Sequence, residues 1–264
     1  MRLSQGQLTL LEYCPRRFQH SILESLSVPS SPTLLAAQQW GDRFHLLMQQ
    51  REMGLPIAPV LAHDDELQTC VSRLQAAAPD LFDSTDESWR QSEHERSFVL
   101  NGYWFTVVYD LLRQWGTASS PSDRAEIIDW KTYLKPRTAK FLRQEWQTRL
   151  YLYSLVETTD YCPEQISMTY WFVRVTDPAA PQPTPQKICL PYSEQAHQAT
   201  HRQLTQLTQQ LTALLEVGMP FPQLPIDSPK CTDCPFAVRC QRGLAHSAEA
   251  EELPAWEAIS EIAL

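Results

Sequence analysis

The stretch AEIIDWKTY, residues 125–133, sets an apolar pair, Ile127 and Ile128, directly ahead of Asp129, Trp130 and Lys131. β-Branched residues leading into an aromatic read as a strand, and side chains along a strand alternate between its faces. Asp129 and Lys131 therefore share one face, and Trp130 takes the other and points into the core. A lone acid and base at a strand end are more often surface groups than a site. Their meaning depends on what the rest of the chain places around them.

Upstream, RSFVLNGYWFTVVYDLLRQ is dense in Val, Phe, Tyr and Trp around Asn101-Gly102, which is the pattern of a β-hairpin. Asp110 ends the strand WFTVVYD, and the polar loop TASSPSDR joins it to the strand that ends at Asp129. Pairing of these two strands brings the carboxylates of Asp110 and Asp129 together. With no fixed cation between them they repel, and the arrangement favours a divalent ion such as Mg²⁺, which takes one or two carboxylates and keeps several waters. Lys131 is then placed to orient a metal-bound water or to stabilise charge developing on a phosphate. The backbone carbonyl of Trp130 is free to face the metal.

Downstream, RQEWQTRLYLYSLVE has helical spacing and carries Gln147 and Tyr151 at i and i+4, on one face. His45, in WGDRFHLL, follows Gly41 by one turn, and can offer an imidazole to the same metal. Taken alone, such a pair is usually helix surface and such a histidine usually structural. From Lys131 to Arg149 the chain holds Lys131, Lys135, Arg137, Lys140, Arg143 and Arg149 against only Glu145. That basic excess reads either as a solvated helix face or as a track for phosphates leaving the site.

The remaining elements set the fold class. Ser4 caps a helix over roughly residues 5–25, a second runs over 33–53 with Trp40, Phe44, Leu47 and Met48, and a third over 64–77. QISMTYWFVRV is a strand, KICLPY a short last one, and Pro-rich TDPAAPQPTPQ lies between them. Ser193 caps a long helix whose Leu204, Leu207, Leu211, Leu214 and Leu215 recur at helical spacing, and Gly218 ends it. Helices, a meander of strands, a helix and further strands predict an α/β or α+β domain with a mixed sheet.

The chain has 264 residues and a net charge of −9, which disfavours loose whole-surface binding to nucleic acid but not a local basic track. No apolar run approaches the roughly 18 residues of a membrane span. The N-terminus lacks the apolar centre of a signal peptide, so a soluble cytoplasmic protein is expected.

In that setting, seven cysteines raise the prospect of a metal or cluster rather than disulfides. CTDCPFAVRC supplies Cys231, Cys234 and Cys240, and zinc or an iron–sulfur cluster wants a fourth ligand. No second close pair exists, so the fourth is distant: Cys14, Cys70, Cys162 or Cys189. Cys14 in YCPRRF would clamp the two ends of the chain, worth roughly 4–5 kcal/mol if it acts as a cross-link. Cys162 in YCPEQ looks locally similar. Cys70, Cys162 and Cys189 otherwise read as small buried hydrophobes.

Together these motifs resemble the PD-(D/E)XK nuclease superfamily, and within it the RecB-type branch that carries an iron–sulfur cluster, which includes the CRISPR-adaptation exonucleases and the AddB nuclease domain. The likeness spans the chain from LSQGQLTLLEYCPRRF to CTDCPFAVRC. It implies a restriction-endonuclease-like fold, a mixed central sheet flanked by helices, with one nuclease domain over residues 1–240 and an acidic tail over 241–264. It implies Mg²⁺ or Mn²⁺ held by His45, Asp110, Asp129 and the Trp130 carbonyl, with Lys131, Gln147 and Tyr151 completing the catalytic set. It also implies a structural [4Fe-4S] cluster on Cys14, Cys231, Cys234 and Cys240, joining the terminal segments.

The implied activity is phosphodiester hydrolysis of DNA, as an exonuclease on single-stranded or free-ended substrate. Arg16, Arg17, Lys135, Arg137, Lys140 and Arg143 would meet the DNA backbone. DNA repair, recombination or CRISPR-type processing, in complex with a protein partner, is the setting implied.

One departure stands out. The family often has glycine three residues before the first aspartate, and here VVYD has Val107, whose side chain would crowd the substrate or shift the strand. Glu93 and Glu95, just upstream, are solvated acids or include a helper ligand. The rival readings are a DNA-binding scaffold that keeps the fold without cleaving, and a zinc-stapled interaction protein.

Overall fold

The computed structural model describes residues 1–28, 32–83, 88–175 and 184–242. Most of the Pro-rich stretch, and the acidic tail from residue 243 on, lie outside the described residues. The chain forms two compact units, Met1–Thr9 with Pro29–Val217, and Leu10–Val28 with Gly218–Leu264.

The larger unit is a mixed α/β fold. In chain order its elements begin with β1 (Arg2–Leu3) and the start of α1 (Gln5–Tyr13); α2 (Pro15–Phe18) belongs to the smaller unit. Then come α3 (Pro32–Glu52), α4 (Ala58–Leu61), α5 (Asp65–Ala77), α6 (Pro79–Phe82), β2 (Trp89–Leu100), β3 (Tyr103–Trp115) and β4 (Arg124–Lys131). After these follow α7 (Ala139–Gln144), α8 (Trp146–Glu157), β5 (Ile166–Phe172), β6 (Gln186–Pro191) and α9 (Glu194–Val217). β2–β3, β3–β4 and β5–β6 pair antiparallel, and β4–β5 and β1–β3 pair parallel. Parallel neighbours need a crossover. Helices α7 and α8 provide it between β4 and β5, which is why α8 comes to lie over the strand that carries Asp129 and Lys131.

Local chemistry explains the elements. Ser4 caps α1 reciprocally: its Oγ accepts from Gln7 N at 3.4 Å, and Gln7 Oε1 accepts from Ser4 N at 2.8 Å. Asp64 caps α5 by accepting from Leu67 N at 3.0 Å. Asn101 (φ +51°) and Gly102 (φ +80°) make the two-residue turn of the β2–β3 hairpin. Ser193 Oγ accepts from Ala196 N at 3.3 Å at the start of α9, and Gly218 (φ +88°) closes it. On one sheet face, Leu111, Ile128, Trp130, Trp171 and Val173 pack with Trp40, Phe44, Leu47 and Met48 of α3 and with Leu67, Cys70, Val71 and Leu74 of α5.

Several expectations are corrected. The helix over 5–25 breaks at Cys14, which is extended (φ −164°, ψ 112°) because Pro15 disfavours helical geometry in the residue before it. The chain continues as α2 and one π-helical turn, Gln19–Leu23. The helix over 143–157 is two helices, broken where Glu145 is extended (ψ 141°). Asp110 lies inside β3, which runs five residues further to Trp115. Cys162 and Cys189 are exposed rather than buried, and only Cys70 behaves as a core thiol. Leu215 is exposed, because the C-terminal turn of α9 outruns the core reached by Leu204, Leu207 and Leu211.

In the smaller unit, Leu11, Phe18, Phe221 and Phe236 are buried. Arg16 Nε donates to Phe221 O at 2.6 Å, and Gln19 Oε1 accepts from Phe221 N at 2.7 Å.

Candidate active site

A pocket of 990 Å³ opens in the larger unit, and its walls include His45, Glu93, Asp110, Asp129, Lys131 and Gln147. Trp130 and Tyr151 also border it. Asp129 and Lys131 share a face as alternation requires, with Lys131 Nζ 2.6 Å from Asp129 Oδ1. Gln147 closes a ring with them: Lys131 Nζ donates to its Oε1 at 2.8 Å, and its Nε2 donates to Asp129 Oδ2 at 2.6 Å. Both charged groups are removed from water, Asp129 at 2% and Lys131 at 9% exposure. Burial pushes the Asp129 carboxyl up against the pull of Lys131. Burial alone would lower Lys131, but the Asp129 carboxylate outweighs it and holds the ammonium above the usual lysine range. Lys131 is thus a protonated, fixed donor.

Asp110 enters differently. The β3–β4 ladder runs from Trp115↔Arg124 to Leu111↔Ile128 and stops there. Asp110 Oδ2 then accepts from Trp130 N at 2.7 Å, so its carboxylate takes the place of a backbone partner. Because the N–H and C=O of one strand residue point to the same edge, the Trp130 carbonyl faces that side too. In a regular strand Tyr109 and Leu111 would share a face. Here Tyr109 Oη donates to Tyr151 O on α8 at 3.1 Å, while Leu111 packs with Trp130 against α3. The alternation therefore slips at Asp110. Opposite the slip, between the pairs Ser92↔Leu111 and His94↔Tyr109, stands Glu93 in the left-handed region at φ +49°. That conformation costs a non-glycine residue free energy, of order 1–3 kcal/mol, and such strain gathers at functional sites.

The slip creates a donor set. Ligand atoms of His45, Glu93 and Asp110 lie within 4.8 Å of one another, the one such group of three or more among the described residues. His45 Nδ1 is 3.4 Å from Asp110 Oδ1. Burial pulls the His45 imidazolium down, but the Asp110 hydrogen bond and the charges of Asp110, Asp129 and Glu93 raise it overall. Glu93 is raised by partial burial and by Asp110, with His45 opposing. One imidazole and two carboxylates suit a hard divalent cation.

Sequence reasoning had Glu93 only as half of an undecided acidic pair; Glu95 is not in this group. Asp129, expected as a ligand, accepts from Gln147 through Oδ2; its Oδ1 is paired in charge with Lys131 Nζ but, among the described residues, is buried without a hydrogen-bond partner. Tyr151 is buried, with its phenol pushed up by burial and by Asp129 and Asp110, so it stays neutral. A Cβ at Gly41 would sit 3.2 Å from Thr132 Oγ1, so the glycine makes room for that side chain. Val107 is 1% exposed and does not line the pocket, so it does not obstruct substrate.

The smaller unit has its own pocket, lined by Cys14, Cys231, Cys234 and Cys240 together with Arg16, Arg17 and Arg242. Among the described residues no three of these sulfurs lie mutually within 4.8 Å. Cys162 is elsewhere, its thiol donating to Gln165 Oε1 at 3.1 Å. Lys135, Lys140 and Arg143 are exposed, as the basic track requires, whereas Arg16 and Arg17 are half-buried at the cysteine pocket.

A mixed sheet gathers acids, a histidine and a buried lysine in one cleft, an arrangement suited to a divalent cation beside a fixed ammonium. The chain belongs to the PD-(D/E)XK nuclease superfamily, whose family model matches residues 2–241. Membership implies phosphodiester hydrolysis with a divalent metal. The chain is similar in fold to a provisionally named exonuclease from Eubacterium rectale, at TM-score 0.52 and 10% identity over 87% of this chain and 86% of that one. A protein named SSO0001 aligns over 90% of this chain and 85% of its own, at TM-score 0.34 and 11% identity. No curated protein matches the chain. Among the described residues, no helix is long and apolar enough to cross a membrane.

Proposed function

We propose that this protein is a Mg²⁺- or Mn²⁺-dependent deoxyribonuclease of the RecB-type branch, acting as an exonuclease on single-stranded or free-ended DNA. The observation that carries the reading is the meeting of His45, Glu93 and Asp110 within 4.8 Å, in the pocket that also holds the Asp129–Lys131–Gln147 ring. His45, Glu93 and Asp110 would hold the ion, with Asp129 and the Trp130 carbonyl beside it. A bound divalent ion supplies Lewis-acid polarisation of the phosphate and a water of lowered pKa. Lys131 Nζ, pinned by Asp129 and Gln147, presents N–H donors to the attacking water and to the charge that develops on the phosphate. Gln147 fixes the ammonium, and the neutral Tyr151 phenol adds a donor on the α8 side. Lys135, Arg137, Lys140 and Arg143 line the approach with positive charge.

The cysteine pocket supports a structural [4Fe-4S] cluster. An iron–sulfur core on four thiolates is an anion, and three arginines line this pocket. Among the described residues, Arg17 Nε is buried there with no hydrogen-bond partner. Repair, recombination or CRISPR-type DNA processing is the setting this reading implies.

The test is anaerobic purification followed by assay on end-labelled single- and double-stranded DNA with Mg²⁺, Mn²⁺ or chelator. Metal-dependent release of nucleotides, lost in Lys131→Ala, is expected. Unchanged turnover in that variant refutes the assigned chemistry, and a colourless protein with stoichiometric zinc refutes the cluster.

A further inference from the structure

The segment that follows the buried lysine carries an arrangement that the hydrolytic chemistry does not use. Lys131 Nζ lies 6.0 Å from the Tyr133 ring, Arg137 Cζ lies 5.6 Å from that same ring, and Arg137 Cζ lies 4.5 Å from the Phe141 ring. Cations and rings thus alternate outward from the site. The rings are open to solvent, Tyr133 at 48% and Phe141 at 44% exposure. Tyr133 lines the active-site pocket. Arg137 is held in place by Glu145 Oε1 at 3.1 Å, and Thr138 Oγ1 caps α7 by accepting from Phe141 N at 3.2 Å. The ladder is therefore an ordered surface with its rings unspent on the core. Lys135, Lys140 and Arg143 stand exposed on the same segment.

We propose that Tyr133, Arg137 and Phe141 form a stacking ledge that seats the unpaired bases of a DNA strand as its backbone enters the pocket. This deepens the nuclease reading and rests on it. Aromatic faces and a guanidinium plane offer π contacts to any base, and an unpaired strand has open base faces along its length. The flanking cations follow the phosphates, whose contacts carry no sequence information. A blunt duplex, with its interior bases stacked and a single face open at the terminal pair, gains mainly the electrostatic part. The ledge would thus set strand preference, with Tyr133 and Phe141 as positioning residues rather than catalytic ones.

The experiment measures binding of a fluorescent oligothymidylate and of a blunt-ended duplex of equal length to the full chain with Ca²⁺, comparing wild type, Tyr133→Ala, Phe141→Ala and Tyr133→Trp. A strand carrying 2-aminopurine reports stacking directly by quenching. Each alanine variant is expected to lose about tenfold in single-strand affinity, with duplex affinity changed less than about twofold and quenching reduced, while Tyr133→Trp restores both. Equal losses on the two substrates, or quenching that survives both alanine variants, overturn the ledge. Both rings are half exposed, so unchanged unfolding midpoints serve as the folding control. If the wild type binds and quenches but neither Mg²⁺ nor Mn²⁺ yields cleavage, the nuclease reading fails and the ledge stands. If cleavage occurs without quenching, the ledge alone fails.

Discussion

Lys131→Met tests the buried ring at the centre of the site. The substitution keeps the apolar stem and removes the ammonium, leaving Asp129 at 2% exposure with only Gln147 Nε2, 2.6 Å away, as partner. Orphaning one member of a buried ion pair costs roughly 3–5 kcal/mol. The carboxyl has an escape, which is to take up a proton, and that caps the loss. In wild type burial already lifts the Asp129 carboxyl to about 7, so below that pH both proteins keep the proton on folding and differ little. With the ammonium gone the carboxyl rises further. The unfolded chain releases this proton above its ordinary pKa, so wild-type stability stops falling near pH 7 while that of the variant goes on falling, by about 1.4 kcal/mol per pH unit. The expected deficit is under about 1 kcal/mol at pH 6 and about 3 kcal/mol at pH 9. Urea unfolding of both proteins in chelator at pH 6 and pH 9 measures the difference. Asp129→Asn in the Lys131→Met background should recover most of it at pH 9. A variant as stable as wild type at pH 9, or a deficit that does not shrink at pH 6, would refute the buried-pair account.

Glu93→Gln is expected to weaken Mn²⁺ binding at least tenfold by calorimetry; unchanged affinity removes Glu93 from the ligand set. The Asp110 contact raises His45, so the metal displaces a proton from it. Affinity should climb as pH rises through that raised value, with binding heats that depend on buffer ionisation, and His45→Asn should abolish the dependence. By linkage, the stabilisation that metal-free protein draws from His45 is complete below about pH 6.5 and lost as pH rises through the raised value. Val107→Ala should cost roughly 1–3 kcal/mol of stability with the rate of DNA cleavage unchanged, since Val107 lies in the packing and outside the pocket. Cys14→Ser should lose bound iron while Cys162→Ser keeps it, as measured by iron content after anaerobic purification; the reverse result would move the fourth ligand to Cys162.

What was readable in the chain followed from rules that act over a few residues. Strand alternation alone put Asp129 and Lys131 on one face and Trp130 on the other, and Asn101-Gly102 announced its own turn. Two features escaped for different physical reasons. The break at Glu145 carries no glycine or proline; Thr148 Oγ1 donates to Leu142 O at 2.6 Å and meets Tyr170 Oη at 2.7 Å, contacts that only the folded crossover provides. Nothing local foretells it, yet it sets the start of α8 and hence the reach of Gln147. Glu93 is the opposite case. A two-residue turn makes Leu100 pair with Tyr103, and counting back along the hairpin sets Glu93 opposite Asp110, the register found on either side of them. The signal was present once β2 was taken back to Trp89, but the polar run WRQSEHERS does not advertise a strand. It forms one because β3 offers it a full edge of hydrogen-bond partners. The acid at the irregular position is then the one that meets Asp110 and His45, so the strained backbone at Glu93 and the proposed metal-binding donor set are one feature of the hairpin.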